Sequence, residues 1–109
     1  MGLLDKYETE INSPIGQLAQ KLAQNEYDLL FGLIKRRLEA GLTQTDVAEV
    51  LGVSQQAVAK FESMESDPRL STISQYAMAI NTLIDFGLSD FSVSANNKTH
   101  KSRREATSV

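Results

Sequence analysis

Gly52 stands between two stretches that each open on a capping side chain, and this leaves the chain few choices between Thr43 and Ser63. Thr43 is a good helix N-cap, and Asp46 three residues on approximates the acidic partner of a capping box. Val47, Ala48 and Leu51 then recur at a spacing that places them on one helical face. Gly52 supplies the left-handed backbone on which a helix most often ends, without steric cost. Val53 is expected to plug the corner, Ser54 to cap a second helix, and Val58 and Phe61 to carry its inward face. Gln55, Gln56, Ala59 and Lys60 are left on the outside, side chains suited to base edges and phosphates in a major groove. The spacing therefore predicts two short helices, at about 44–51 and 55–63, joined by a tight turn.

On either side the pattern stays helical. Ser13-Pro14 is a firm start, a capping serine followed by proline at the first helical position. From there Ile15, Leu18, Leu22, Leu29, Leu30, Leu33, Ile34 and Leu38 keep helical period as far as Gly41, as one long helix or as two meeting near Asn25. A last helix is predicted over 72–80, capped by Ser71, with Ile73, Tyr76, Ala77 and Ile80 inward and Asn81 as a left-handed terminator. Leu3, Leu4, Tyr7 and Ile11 are spaced for a short amphipathic arm ahead of all this. After Asn81 the period changes. Leu83, Ile84, Phe86, Leu88 and Phe91 alternate with polar residues in the manner of a short strand. Such a strand has unpaired backbone groups, to be met by a second copy of the chain or by another protein. Residues 92–109 lack aromatics, are rich in Ser, Asn, Thr, Lys and Arg, and read as a disordered basic tail.

Composition narrows the function. At 109 residues the chain is long enough for one modest core. No apolar run approaches the roughly 20 residues of a membrane span, and no basic-apolar leader opens the sequence, which points to a cytoplasmic protein at the nucleoid. With no cysteine there is no disulfide, thiolate metal site or thiol nucleophile. The single histidine, His100, lies in the tail, and there is no glycine-rich phosphate loop, so neither an enzyme nor a metal or cofactor site is expected. Residues 1–91 carry seven basic and thirteen acidic side chains, a balance of −6, whereas residues 92–109 carry +3. Such a body attracts phosphates weakly overall, so binding to DNA would depend on a few placed contacts. The tail is either a solvated end or an arm that follows the minor groove.

The stretch from Thr43 to Ser63 resembles the helix-turn-helix of the XRE class, the family of Cro and the lambdoid phage repressors. Counted from Gln44, that family wants a small residue fifth, glycine ninth and an aliphatic fifteenth, and Ala48, Gly52 and Val58 stand there. Upstream, RRLEAGLTQ provides the arginine four before glycine, Arg37, and the LTQ start. Downstream, FESMESDP provides the glutamate that closes the second helix, Glu62, and a proline at Pro68. The resemblance covers roughly Tyr27 to Ile80. It implies a mainly α, five-helix lambda-repressor-like domain over 26–81, to which the residue spacing adds a helical arm at 1–25 and a short dimerisation or partner-binding strand at 82–91.

The resemblance also implies roles. Glutamines matching Gln44 and Gln55 cooperate in such repressors, the first holding phosphate and buttressing the second against an adenine. Thr43 and Ser54 fall at the helix starts that face DNA. Gln56, Ala59 and Lys60 share the exposed face, with Gln56 and Lys60 open between base reading and plain solvation. Arg37 and Glu62 match a pair that ties the first helix to the end of the recognition helix, the alternative being two unrelated surface charges. Met64 departs from the glycine frequent in the family. The expected function is sequence-specific binding of double-stranded DNA by a homodimeric regulator, a repressor at a promoter-proximal operator. The wording KFE through LSTISQYAMAI, followed by TLIDFGLSD, also looks like antitoxins that partner RelE-like toxins, although a glycine pair is usual where Asn81 and Thr82 stand. The second expectation is therefore an antitoxin that neutralises a toxin and represses its own operon.

Overall fold

The computed structural model describes residues 13–92. The arm residues Leu3, Leu4, Tyr7 and Ile11 and nearly all of the basic tail lie outside the described residues. Four helices follow one another: α1, Pro14–Glu39; α2, Gln44–Leu51; α3, Gln55–Glu62; and α4, Leu70–Ala79. The chain divides into two units, one holding residues 26–85 and the other holding 13–25 and 86–92 among the described residues.

α1 is a single helix of 26 residues, roughly 39 Å long at the usual rise. The Ser13 hydroxyl accepts a hydrogen bond from the Gly16 amide at 3.1 Å, and Pro14 opens the helix. No breaker stands near Asn25, so the helix runs through. Merging the two alternatives into one helix leaves four helices among the described residues, where five were expected.

Three helix ends share one backbone closure. After α1, the Leu42 amide donates to the Arg37 carbonyl and the Gly41 amide to that of Leu38, with Gly41 at φ 76°. After α2, Val53 donates to Ala48 and Gly52 to Glu49, with Gly52 at φ 69°. After α4, Thr82 donates to Ala77 and Asn81 to Met78, with Asn81 at φ 55°. Each is a Schellman closure, in which a left-handed residue turns the chain so that two amides satisfy carbonyls the helix would otherwise leave open. α3 ends differently. Met64 is left-handed at φ 62°, yet the Glu65 amide bonds the Ser63 hydroxyl, which itself donates to the Lys60 carbonyl. Glycine is the residue that takes such a conformation freely, so Met64 holds it against its side chain.

The core of the 26–85 unit is Leu33 from α1, Val47 and Ala48 from α2, Val58 and Phe61 from α3, Tyr76 and Ala77 from α4, and Ile80 beyond it. Phe61 and Tyr76 stack with ring centroids 4.7 Å apart. Leu29, Leu30, Leu42, Leu51, Ile73 and Ile84 pack around this cluster while half-buried.

Three expectations need correction. α4 begins at Leu70 with Arg69 as its N-cap and no capping side chain, so Ser71 lies inside the helix and does not cap it. Val53 gives its amide to the α2 closure but leaves its side chain 46% exposed, so the turn is held by backbone and not plugged. No strand forms among the described residues. Among the described residues no strand lies beside residues 83–91, and a strand is defined by such a ladder. Of that segment Ile84 joins the core margin, whereas Leu83, Phe86, Leu88 and Phe91 are exposed.

Candidate nucleic-acid interface

The interface is built from the N-terminal ends of α2 and α3. Thr43 caps α2 through a complete capping box: its hydroxyl accepts from the Asp46 amide at 3.0 Å, and its own amide donates to the Asp46 carboxylate at 2.8 Å. Hydrogen bonding from the Thr43 amide, and next from the Thr43 hydroxyl, holds the Asp46 carboxyl below the usual carboxylate range. Ser54 caps α3, its hydroxyl accepting from the Ala57 amide at 3.1 Å. Gly52 sets the angle between the two helices, and Ala48, nearly inaccessible, lets them pack closely. Val58 is buried at the same crossing. On the outer side Thr43, Ser54, Gln55, Gln56 and Lys60 are exposed and Gln44 and Ala59 are half-buried. Thr43, Gln44, Thr45 and Gln55 line one open hollow together with Leu38, Gly41 and Leu42.

Beneath this face lies a polar cluster. Arg37 donates from Nε to Glu62 Oε2 at 2.6 Å and from Nη2 to Glu62 Oε1 at 2.9 Å, a bidentate pair with both side chains about 8% exposed. Its Nη1 reaches the Leu42 carbonyl at 2.7 Å. One buried guanidinium thus ties the end of α1, the α1–α2 loop and the end of α3. The Tyr76 hydroxyl from α4 donates to Glu62 Oε2 at 2.5 Å, and Gln44 Nε2 donates to Glu62 Oε1 at 2.9 Å. Gln55 Nε2 in turn donates to Gln44 Oε1 at 2.6 Å. An unbroken chain of hydrogen bonds therefore runs from the core to the exposed start of α3.

The electrostatics follow from that geometry. Burial pushes the Glu62 carboxyl up, but the bonds from Arg37, Tyr76 and Gln44 together outweigh it and hold the group below the usual carboxylate range. Arg37 is held above its ordinary value by the Glu62 carboxylate, against its own burial. Tyr76 is pushed up by burial and by the adjacent carboxylate, so its hydroxyl keeps its proton. Arg37 and Glu62 are not two unrelated surface charges.

One member of the cluster is not legible in the sequence: Tyr76 reads there only as an inward-facing ring. Gln44 reads as a phosphate holder that buttresses Gln55, without its bond to Glu62. A buried tyrosine hydroxyl requires a partner, which is the signal that could have brought Tyr76 to Glu62. Among the described residues, no group of three or more His, Asp or Glu is placed to hold a metal, and no helix is long and apolar enough to cross a membrane.

Residues 33–86 match the sequence model of a family described as helix-turn-helix. The antitoxins HigA1 of two Mycobacterium tuberculosis strains, CDC 1551 / Oshkosh and H37Rv, are each 41% identical to this chain over 59 residues, which is 54% of this chain and 40% of the relative. The chain thus spans well under half the length of the curated relatives it matches. No solved structure matches it significantly.

Proposed function

We propose, from the match of residues 33–86 to the helix-turn-helix family model, that the chain binds double-stranded DNA sequence-specifically and acts as a transcriptional repressor. The observation that carries the reading is the chain Gln55–Gln44–Glu62, which holds a glutamine amide at the exposed N-terminal end of α3. An amide presents one donor and one acceptor, the pair that matches the N7 and N6 groups of adenine in the major groove. Gln55 is the base reader. Thr43, Gln44 and Ser54 lie at helix starts, where backbone and hydroxyl groups meet phosphates, and Gln56, Ala59 and Lys60 extend the contact along α3. The protein acts as a homodimer in the cytoplasm, at the nucleoid, with two recognition helices in successive major grooves about 34 Å apart, and it blocks a promoter by occupying it. It has no catalytic role. Selection from a random DNA pool tests this: a recurrent site with two related half-sites is expected, and enrichment of no sequence would overturn the reading.

A second reading is favoured by the match to proteins named antitoxin HigA1. On that reading the chain also neutralises a RelE-like toxin and represses its own operon, with residues 82–91 as the segment that pairs with the toxin or with a second copy. Co-expression of this chain should restore growth that a small basic protein encoded by the adjoining gene arrests when expressed alone. Continued arrest, with no complex recovered, would remove this reading and leave the repressor intact.

A further inference from the structure

Glu62 has four acceptor positions, two on each carboxylate oxygen, and each is engaged. Oε2 receives Arg37 Nε and the Tyr76 hydroxyl, and Oε1 receives Arg37 Nη2 and Gln44 Nε2. An ionised carboxylate only accepts. Gln44 must therefore turn its NH₂ toward Glu62, which leaves its carbonyl oxygen facing Gln55. Gln55 must answer with its own NH₂, as the 2.6 Å contact shows. The free edge of Gln55 then has a fixed sense: one N–H donor on the side of Gln44 and the carbonyl acceptor on the other side.

An amide turned over has the same shape with donor and acceptor exchanged. It meets the adenine edge in the wrong order, and guanine, with acceptors at both N7 and O6, is matched by neither order. Without a fixed sense the side chain would sample both.

We propose that Glu62 and Tyr76 are positioning residues for base recognition: they set the sense of the Gln44 amide, and through it that of Gln55, so that a contact made in the core fixes which base is preferred at the DNA surface. Tyr76 does this by filling the second position on Oε2, which keeps the carboxylate turned so that Oε1 stays available to Gln44. This rests on the reading of Gln55 as a base reader, and it extends the Arg37–Glu62 tie from holding a helix to choosing an amide's orientation.

The test compares the full-length wild type with Tyr76→Phe, Glu62→Gln and Gln55→Ala by selection from one random DNA pool, with melting of each free protein alongside. Gln55→Ala identifies the base position that Gln55 reads. Tyr76→Phe keeps the ring stacked on Phe61 and loses only the hydroxyl, so it should fold even if Glu62→Gln, which weakens the bond to a buried arginine, does not. The expected result is that Tyr76→Phe relaxes preference at that same position by about threefold. A folded Glu62→Gln, whose amide can donate or accept, should relax it by about tenfold, with preference elsewhere in the site unchanged. Combined with Gln55→Ala, neither change should relax that position further. If Gln55→Ala relaxes a position and the folded core variants keep wild-type preference there, the positioning role is overturned and the DNA reading stands. If the wild type enriches no site, or Gln55→Ala relaxes no position, the DNA contact fails and the positioning role with it.

Discussion

Gln55 and Thr43 stand at the starts of α3 and α2 and are expected to fail differently. On the proposed reading of Gln55, Gln55→Ala should cost about 1–3 kcal/mol on the selected site, with relaxed preference at one base pair. Thr43→Ala should weaken binding to all sequences more evenly, and it also removes the hydroxyl bond to the Asp46 amide, for which about 0.5–2 kcal/mol of stability is typical. Competition binding against specific and random duplexes separates the two, and identical profiles would refute the distinction. Gly52 offers a cleaner test of conformation. A Cβ added there would meet nothing within 4 Å, while the backbone stands at φ 69°. Any loss is then due to backbone strain alone: Gly52→Val should lower stability by more than about 1 kcal/mol, and Gly52→Asn by clearly less. Melting of the free protein measures both. At this scale the sequence was informative where chemistry is local, because Thr43 with Asp46, Ser54, Gly52 and Asn81 each act within a few residues of themselves. It was silent on the Tyr76 hydroxyl, whose partner lies fourteen residues away.

At the scale of elements, α3 is mounted on a buried ion pair. Glu62→Ala would leave the Arg37 cation buried without its main partner, a change that typically costs about 3–5 kcal/mol, measurable by urea unfolding. The sign of the pH dependence follows from the depressed carboxyls of Glu62 and Asp46. Their contribution is fully present above the ordinary carboxylate values near ~4 and is lost as pH falls through the lower folded values. Melting temperatures from about pH 7 to 3 should therefore fall less steeply for Glu62→Gln than for the wild type. The start of α4 is not legible in the sequence because Arg69 provides no side-chain cap to read. The unity of α1 is not legible either, because an apolar period looks the same in one helix or in two.

For the whole molecule, Ile84 changes where the chain can be cut. It packs on the core margin, whereas Phe86, Leu88 and Phe91 are exposed. Truncation after Asp85 should keep the melting temperature close to that of the full chain, and truncation after Asn81 should lower it by removing the Ile84 contact. Sedimentation of the Asp85 truncation then reports on assembly apart from folding. If it stays dimeric and binds a two-half-site operator as tightly as the full chain, residues 86–91 are not the dimer element. A pairing that needs a second chain could be suspected from the alternation of Leu83 to Phe91 but not located by it, since one chain's sequence does not name its partner.

The different ending of α3 has a consequence in time. Where α1, α2 and α4 stop, the Leu42, Val53 and Thr82 amides are locked onto helix carbonyls; where α3 stops, the Glu65 amide is held by an exposed serine hydroxyl. Local opening starts where backbone bonds are fewest and most exposed. In deuterium exchange the Glu65 amide should exchange well before those three, so α3 would loosen from its trailing end while its capped leading end stays closed.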